Sequence, residues 1–236
     1  MRVKRFIFQL TVTAWAWVGV GCVPNQSPIR ILGGRSLIGQ ATGSACVASV
    51  SNPTQASGTL DISGTTSYQM SFDTESDLER LSTNIVGGQQ TVEGPGRNDF
   101  TSKEIVYTVT STPHFNFREE RIALNFLIPA GTASGQSQLT IELLSPATAS
   151  LLVSSMVPGD KVQLLVTFQL NGSLASGQTI QSNQVTFPIS VFDSGFTGCA
   201  KNQIRQGTGP CGNVGGQDGS LVGCCTASST VAGQCA

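Results

Sequence analysis

The chain has 236 residues, room for one or two compact domains with a core of useful size. Its 13 Lys and Arg stand against 14 Asp and Glu, a formal net charge of −1, which excludes nucleic-acid binding driven by bulk positive charge. Only 11% of the residues are charged and 39% are hydrophobic, too few charges for long solvated helices and apolar residues too scattered for a polytopic membrane protein.

Arg2, Lys4 and Arg5 form a short basic segment, followed by an uncharged, mostly apolar stretch from Phe6 to Gly21. That order predicts a secretory signal peptide over residues 1–21, with the apolar run too short for a comfortable transmembrane span. It ends Gly19-Val20-Gly21-Cys22, which resembles the lipobox of bacterial lipoproteins at Gly21 and Cys22 and departs from it at Gly19 and Val20. The expected modification is diacylation of Cys22, which becomes the new N-terminus. Two acyl chains anchor stably where one does not. Val23 rather than Asp follows the cysteine, and by resemblance to lipoprotein sorting that favours the outer membrane.

Seven cysteines are an awkward number for an exported protein. With Cys22 assigned to lipid, Cys46, Cys199, Cys211, Cys224, Cys225 and Cys235 remain, and six pair completely in an oxidising compartment. Cleavage also removes three basic residues and both tryptophans, Trp15 and Trp17, leaving a mature chain with an acidic excess of four and no Trp.

Residues 22–45 mix Pro, Gly, Ser, Gln and Asn and read as a flexible tether, with an edge strand admitted at Ile29, Ile31 and Leu32. Residues 46–197 read as the folded domain. Leu60 and Ile62 alternate with polar residues, as do Tyr68, Met70 and Phe72, and the Gly64-Thr65-Thr66 break predicts a hairpin between them. A short helical turn is expected over Asp77 to Leu81 and a glycine-rich loop over Gly87 to Asn98. Further strands are marked by Ile105, Tyr107 and Val109, ended by Pro113; by Ile122, Leu124, Phe126 and Ile128; and by Leu139, Ile141 and Leu143. Ala147 to Met156 is the one predicted helix, with Pro158-Gly159 as its stop.

The period of two is clearest in Val162, Leu164, Val166, Phe168 and Leu170, with Leu165 on the other face and a turn expected at Asn171-Gly172. Val185, Phe187, Ile189 and Val191 mark the last strand, and Pro188 places it at an edge or a bulge. Seven or eight such strands with one short helix predict an all-β, immunoglobulin-like β-sandwich, with a barrel as the alternative. Residues 198–236 hold five cysteines and almost no bulky apolar residue, so cross-links must hold this tail. Five cannot pair among themselves, so one is expected to reach Cys46. A ring between the neighbours Cys224 and Cys225 would be strained, and each is expected to take a different partner.

Ser57-Gly58-Thr59-Leu60-Asp61-Ile62 with Ser67-Tyr68 resembles the opening hairpin of myxobacterial-type cysteine-rich lipoproteins. Asn171-Gly172-Ser173-Leu174, Gly177-Gln178, Ile180-Gln181-Ser182-Asn183 and Val185-Thr186-Phe187-Pro188-Ile189 are similar to their later signature. Gly209-Pro210-Cys211, Gly216-Gln217-Asp218-Gly219 and Cys224-Cys225 are similar to their close. The resemblance covers most of the mature chain and implies an exported, lipid-anchored β-protein. It implies no activity.

Catalytic motifs are sparse. His114 is the sole histidine and lies between Pro113 and Phe115, and no serine sits in a G-x-S-x-G elbow. Glu119 and Glu120, flanked by Arg118 and Arg121, point to opposite faces if they lie on a strand, and read as a solvated charge cluster. The cysteines contain no C-x-x-C, so no structural zinc site is expected, and no cofactor. Gly216-Gln217-Asp218-Gly219-Ser220 suggests a calcium loop only weakly, because Asp218 is the tail's only acid, and the glycines read as turns. The expected function is that of a lipid-anchored cell-envelope protein, a non-catalytic binding or structural module with a protein partner in the envelope. The alternative is a hydrolase using carboxylates that the fold brings together. Glycan binding is disfavoured by the missing Trp platforms.

Overall fold

The computed structural model describes residues 27–39, 46–48, 54–79, 98–201, 203–205, 216–218 and 224–226. In chain order the strands are β1 (Ile29–Arg35), β2 (Leu37–Gly39), β3 (Cys46–Ala48), β4 (Gly58–Asp61), β5 (Gln69–Ser76), β6 (Phe100–Thr112), β7 (Glu120–Ile128) and β8 (Ser137–Glu142). After helix α1 (Pro146–Ser155) come β9 (Lys161–Leu174), β10 (Thr179–Gln181), β11 (Val185–Phe192), β12 (Gln203–Arg205) and β13 (Cys224–Thr226). The fold is an all-β sandwich. One sheet has the order β1-β5-β8, and the other runs β4-β11-β9-β6-β7, with β10 paired to β9. β2 pairs with β3 and β12 with β13 in two small separate sheets.

The core follows from the alternation. In β9 every second residue from Val162 to Leu174 faces inward and is buried, whereas Leu165 is 47% exposed on the outer face. β9 binds β6 on one side and β11 on the other, so the strand with the most regular pattern lies inside the larger sheet. Across the interface the Phe72 ring meets Phe168 edge-on at 4.9 Å and Phe187 at 6.4 Å, with Tyr68 6.0 Å from Phe187. Helix α1 begins where Ser145 accepts a hydrogen bond from the Thr148 amide and Pro146 fills the first turn. Such a cap is worth about 1 kcal/mol.

Four local expectations are corrected. Gly64-Thr65-Thr66 does not close a hairpin, because β4 and β5 belong to different sheets and β4 instead pairs parallel with β11. The turn is a corner that carries the chain from one layer to the other, built on the Asp61 carbonyl, which accepts from Gly64 N and Thr65 N. Asn171-Gly172 is not a turn either, since both residues pair in the strand with β10 and the chain reverses around Gly177. Gly172 is required there for close approach: a Cβ would sit 2.2 Å from the Thr101 carbonyl oxygen and 2.7 Å from the Phe100 ring. The edge strand admitted at Ile29 and Ile31 forms, so residues 29–35 of the stretch read as tether belong to the smaller sheet. The helical turn expected from Asp77 is not seen at residues 77–79, and residues 80 and 81 lie outside the described residues, as does most of the loop from Gly87 to Asn98.

Pro188 sits within β11, opposite Leu165 of β9. β4 covers the far side of β11 only from Ile189 onward, so Pro188 occupies a local edge, as its missing N–H demands. The face expected of β7 is sealed only at Ile128, with Leu124 and Phe126 half-buried and Ile122 37% exposed. A three-stranded sheet does not span a six-stranded one, and among the described residues β7 is the strand at the margin.

Gly172→Ala should lower unfolding stability by about 1–3 kcal/mol, the usual range for overpacking, because the opposing atom is backbone and cannot swing aside. Chemical denaturation of the variant beside the parent measures it. An unchanged midpoint would mean that β6 and β9 are not held this close.

Candidate functional site

Tyr68 leads into β5 and is fully buried. Its ring occupies the space a side chain on Gly58 would need, where a Cβ would meet the hydroxyl at 1.9 Å. The hydroxyl donates to Asp218 at 2.8 Å and accepts from Gln55 Nε2 at 3.2 Å. Asp218 arrives from the tail, 150 residues away along the chain. Its φ of 52° lies in the left-handed region, which Asp tolerates better than most residues. The same carboxylate accepts from Thr59 N at 3.0 Å, and the Asp218 amide donates to Thr59 O at 2.8 Å. Asp61 N donates to Gly216 O, and the Gln217 amide group both donates to Gln69 O and accepts from Gln69 N. Residues 216–218 therefore latch both layers of the sandwich at the β4 edge. The expectation that these glycines serve turns missed that role. The available signal was the lone acid of a glycine-rich tail, set beside Gln217.

Cys199 and Cys224 are bonded to each other, and the loop they close contains the latch. Cys224 thus does not pair with Cys225. The described backbone places Cys46 in β3 and Cys225 in β13, whereas Cys22, Cys211 and Cys235 lie outside the described residues. The predicted lipidation site lies outside the described residues, as do the side chain of Cys46 and two of the tail cysteines with which it could pair.

At the corner beside the latch, the Asp61 carboxylate accepts from Ser63 N, Ser63 Oγ and Ser194 N. Burial pushes its pKa up, but the hydrogen bonds from Ser194 and Ser63 prevail and hold it below the ordinary carboxylate range. The stability it contributes is present above that range and is lost as pH falls through the depressed pKa. Ser63 and Ser194 share a hydrogen bond of 2.8 Å and act as donors to this corner.

Two further acids, Glu120 and Glu142, lie beside helix α1. Glu120 opens β7, and its Oε1 accepts from Ser145 Oγ and Thr148 Oγ1 at the start of the helix. Glu142 closes β8, with one carboxylate oxygen bound by Ser67 Oγ and the other by Tyr68 N. Between them the Tyr107 hydroxyl donates to the Glu142 carbonyl at 2.8 Å. Burial, with the two carboxylates nearby, raises the Tyr107 pKa above the ordinary range, and burial with the Asp218 bond does the same for Tyr68. Glu119 faces away from Glu120, bound to exposed Arg121, which also reaches Glu104. The solvated charge cluster read from sequence is thus split: Glu119 is part of it and Glu120 is not. His114 is exposed in the loop after the cis Thr112–Pro113 bond.

Two depressions flank the uncharged helix. One, of about 590 Å³, is lined by Ser67, Glu142, Leu144, Pro146, Ala149 and Val153 among others. The other, of about 330 Å³, lies between the helix and residues 116–120. Among the described residues no three His, Cys, Asp or Glu side chains converge in a set fit to hold a metal ion. The arrangement offers a groove with a carboxylate at its rim, each of whose oxygens accepts one hydrogen bond from its own chain. The chain matches no protein-family model, no curated protein and no solved structure.

Two predictions follow from the buried hydroxyls. Tyr68 and Tyr107 are the chain's only tyrosines. Because folding raises both pKa values, their contribution to stability is intact below about pH 10 and is lost as pH climbs beyond the ordinary tyrosine range. Phenolate absorbance should therefore appear together with loss of the β-sheet circular dichroism signal. Ionisation of either tyrosine in a chain that stays folded would contradict their burial. Asp218→Ala leaves the Tyr68 hydroxyl without its acceptor and should cost about 1–3 kcal/mol, read by denaturant titration. Limited proteolysis should cut the tail of that variant faster than the parent's, and equal rates would mean that the latch does not hold the tail.

Proposed function

We propose that this chain is a lipid-anchored module of the cell envelope that works by binding or structural contact rather than by catalysis. The observation that carries the non-catalytic part is the state of the carboxylates. Those of Glu120 and Glu142 are held by Ser145, Thr148, Ser67 and the Tyr68 amide, where they cap a helix and fix the start of a strand. A general acid and its partner need oxygens turned toward a substrate.

The export and anchor part is supported by the signal-like segment ending at Gly21-Cys22 and by the odd cysteine count that Cys22 resolves. The Cys199–Cys224 bridge is in keeping with an oxidising compartment outside the cytoplasm. In this reading Cys22 carries the acyl chains and Val23 directs the protein to the outer membrane, with an envelope protein as its partner. The groove beside α1, floored by buried Leu144 and Ala149 with Val153 52% exposed at its rim, is the surface this reading assigns to contact. The second reading, an envelope hydrolase, keeps one point in its favour: Glu142 lines that same groove.

The decisive experiment labels cells with radioactive palmitate and fractionates them, for the wild type and for Cys22→Ser. The wild type should take up label and sediment with the outer membrane, and the variant should do neither. A variant that remains in the membrane, or an unlabelled wild type, removes the anchor from the proposal. Hydrolysis of an envelope polymer by the purified protein, abolished by Glu142→Gln with folding intact, would replace the binding module with the enzyme.

A further inference from the structure

Along the outer edge of β4, residues 216–218 take up the Asp61 N–H, the Thr59 N–H and the Thr59 carbonyl. They also give the buried Tyr68 hydroxyl its acceptor. Gly216, Gln217 and Asp218 bring no apolar side chain, so the latch closes by polar contacts. The net return on such contacts in water is small, and closure depends on how close the tail is already held to the edge.

The path of the chain decides that. It stays on the sandwich as far as Phe196, whose N–H donates to Ser63 Oγ at the corner. The Cys199–Cys224 bridge, with a sequence separation of 25, then returns the tail to that point from beyond the latch. Through the bridge, the path from Phe196 to Asp218 is less than half its length along the chain. By loop-closure entropy this shortening favours the closed latch about fourfold. The bridge also staples β12 to β13, because Cys224 pairs with Arg205 in that ribbon. Two strands of three residues are marginal alone, and they close the same loop.

Both cysteines are half-buried rather than sealed, within reach of an attacking thiolate. We propose that Cys199–Cys224 is a redox switch for the β4 edge. Oxidised, it keeps the latch closed; reduced by a dithiol, it lets residues 216–218 leave Thr59, Asp61 and Tyr68. One thiolate of the dithiol attacks a bridge sulfur, forming a mixed disulfide and releasing the other cysteine as a thiolate that takes up a proton. The second thiolate of the dithiol then displaces the first cysteine. Two electrons have passed, leaving the dithiol as a disulfide and Cys199 and Cys224 as thiols. The layers need not part for this, because among the described residues the core ends at Val191, before the bridge. The switch depends neither on a lipid at Cys22 nor on the groove beside α1.

The test is residue-resolved backbone hydrogen exchange on the purified full-length protein. With dithiothreitol under native conditions, the Thr59 and Asp61 amides should exchange about fourfold faster or more. The Ile62 amide, bonded to the Phe192 carbonyl, should keep its parental rate. Removing the dithiol and reoxidising should restore protection. Cys199→Ser combined with Cys224→Ser should show the reduced pattern without dithiol and change no further when dithiol is added, which separates this bridge from any other. In Asp218→Ala, where the latch is already open, reduction should accelerate Thr59 less than twofold. Unchanged Thr59 and Asp61 exchange in the reduced parent, or equal acceleration at Ile62, would overturn the proposal. So would a bridge that dithiothreitol cleaves only after unfolding, or reduction acting on Asp218→Ala as strongly as on the parent.

Discussion

A phenol hydroxyl sealed beneath a sheet edge must have an acceptor, and in this protein Asp218 supplies it to Tyr68. Left unmatched, the hydroxyl would cost about as much as several surface contacts combined return. Much of the arrangement depends on that one bond. It sets the position of Gly58, which has no room for a side chain, and it draws Gln55 in as the second partner. It also binds a tail with no core of its own to the layer interface, where Gln217 pairs with the Gln69 backbone. The Cys199–Cys224 bridge then closes a loop around the latch, so that covalent and hydrogen-bonded constraints act on the same few residues. Closing that loop restricts the unfolded chain more than it strengthens the folded one.

The two sheets are unequal, and the treatment of their edges follows. On the side of β1 and β4, polar side chains and the tail take up the free backbone groups. On the side of β7 and β8, the acids Glu120 and Glu142 are spent on local order, one at the start of α1 and one on the Tyr68 amide. Tyr107 bridges the layers there through the Glu142 carbonyl. These side chains hold the open side in shape without covering it. Among the described residues the margin of β7 stays partly exposed, and a groove runs along α1.

Much of the local structure was legible because burial on one face imposes a period of two. β9 and β11 could be read residue by residue, and α1 was bounded by Pro146 and Pro158-Gly159. Pairing was less legible. Gly64-Thr65-Thr66 has the composition of a hairpin turn, yet it joins strands of different sheets, because a turn sequence specifies a reversal and not the neighbour on which the returning strand lands. Gly172 has the composition of a turn and is instead a point of close backbone contact, a demand made by Thr101 and Phe100 rather than by adjacent residues.

The sequence by itself determined the class of fold, the faces of the longest strands, the single helix and the expectation of an exported, cross-linked chain. All of these depend on composition or on neighbours a few residues apart. Only the tertiary structure decided that Asp218 belongs to Tyr68, that Glu120 belongs to Ser145 rather than to the charges beside it, and that β7 is left at the margin. Each of those depends on residues that meet from distant parts of the chain. A lone carboxylate in a glycine-rich tail looks the same in sequence whether it faces water or a buried hydroxyl. Which of the two it faces is set by where the sheets end.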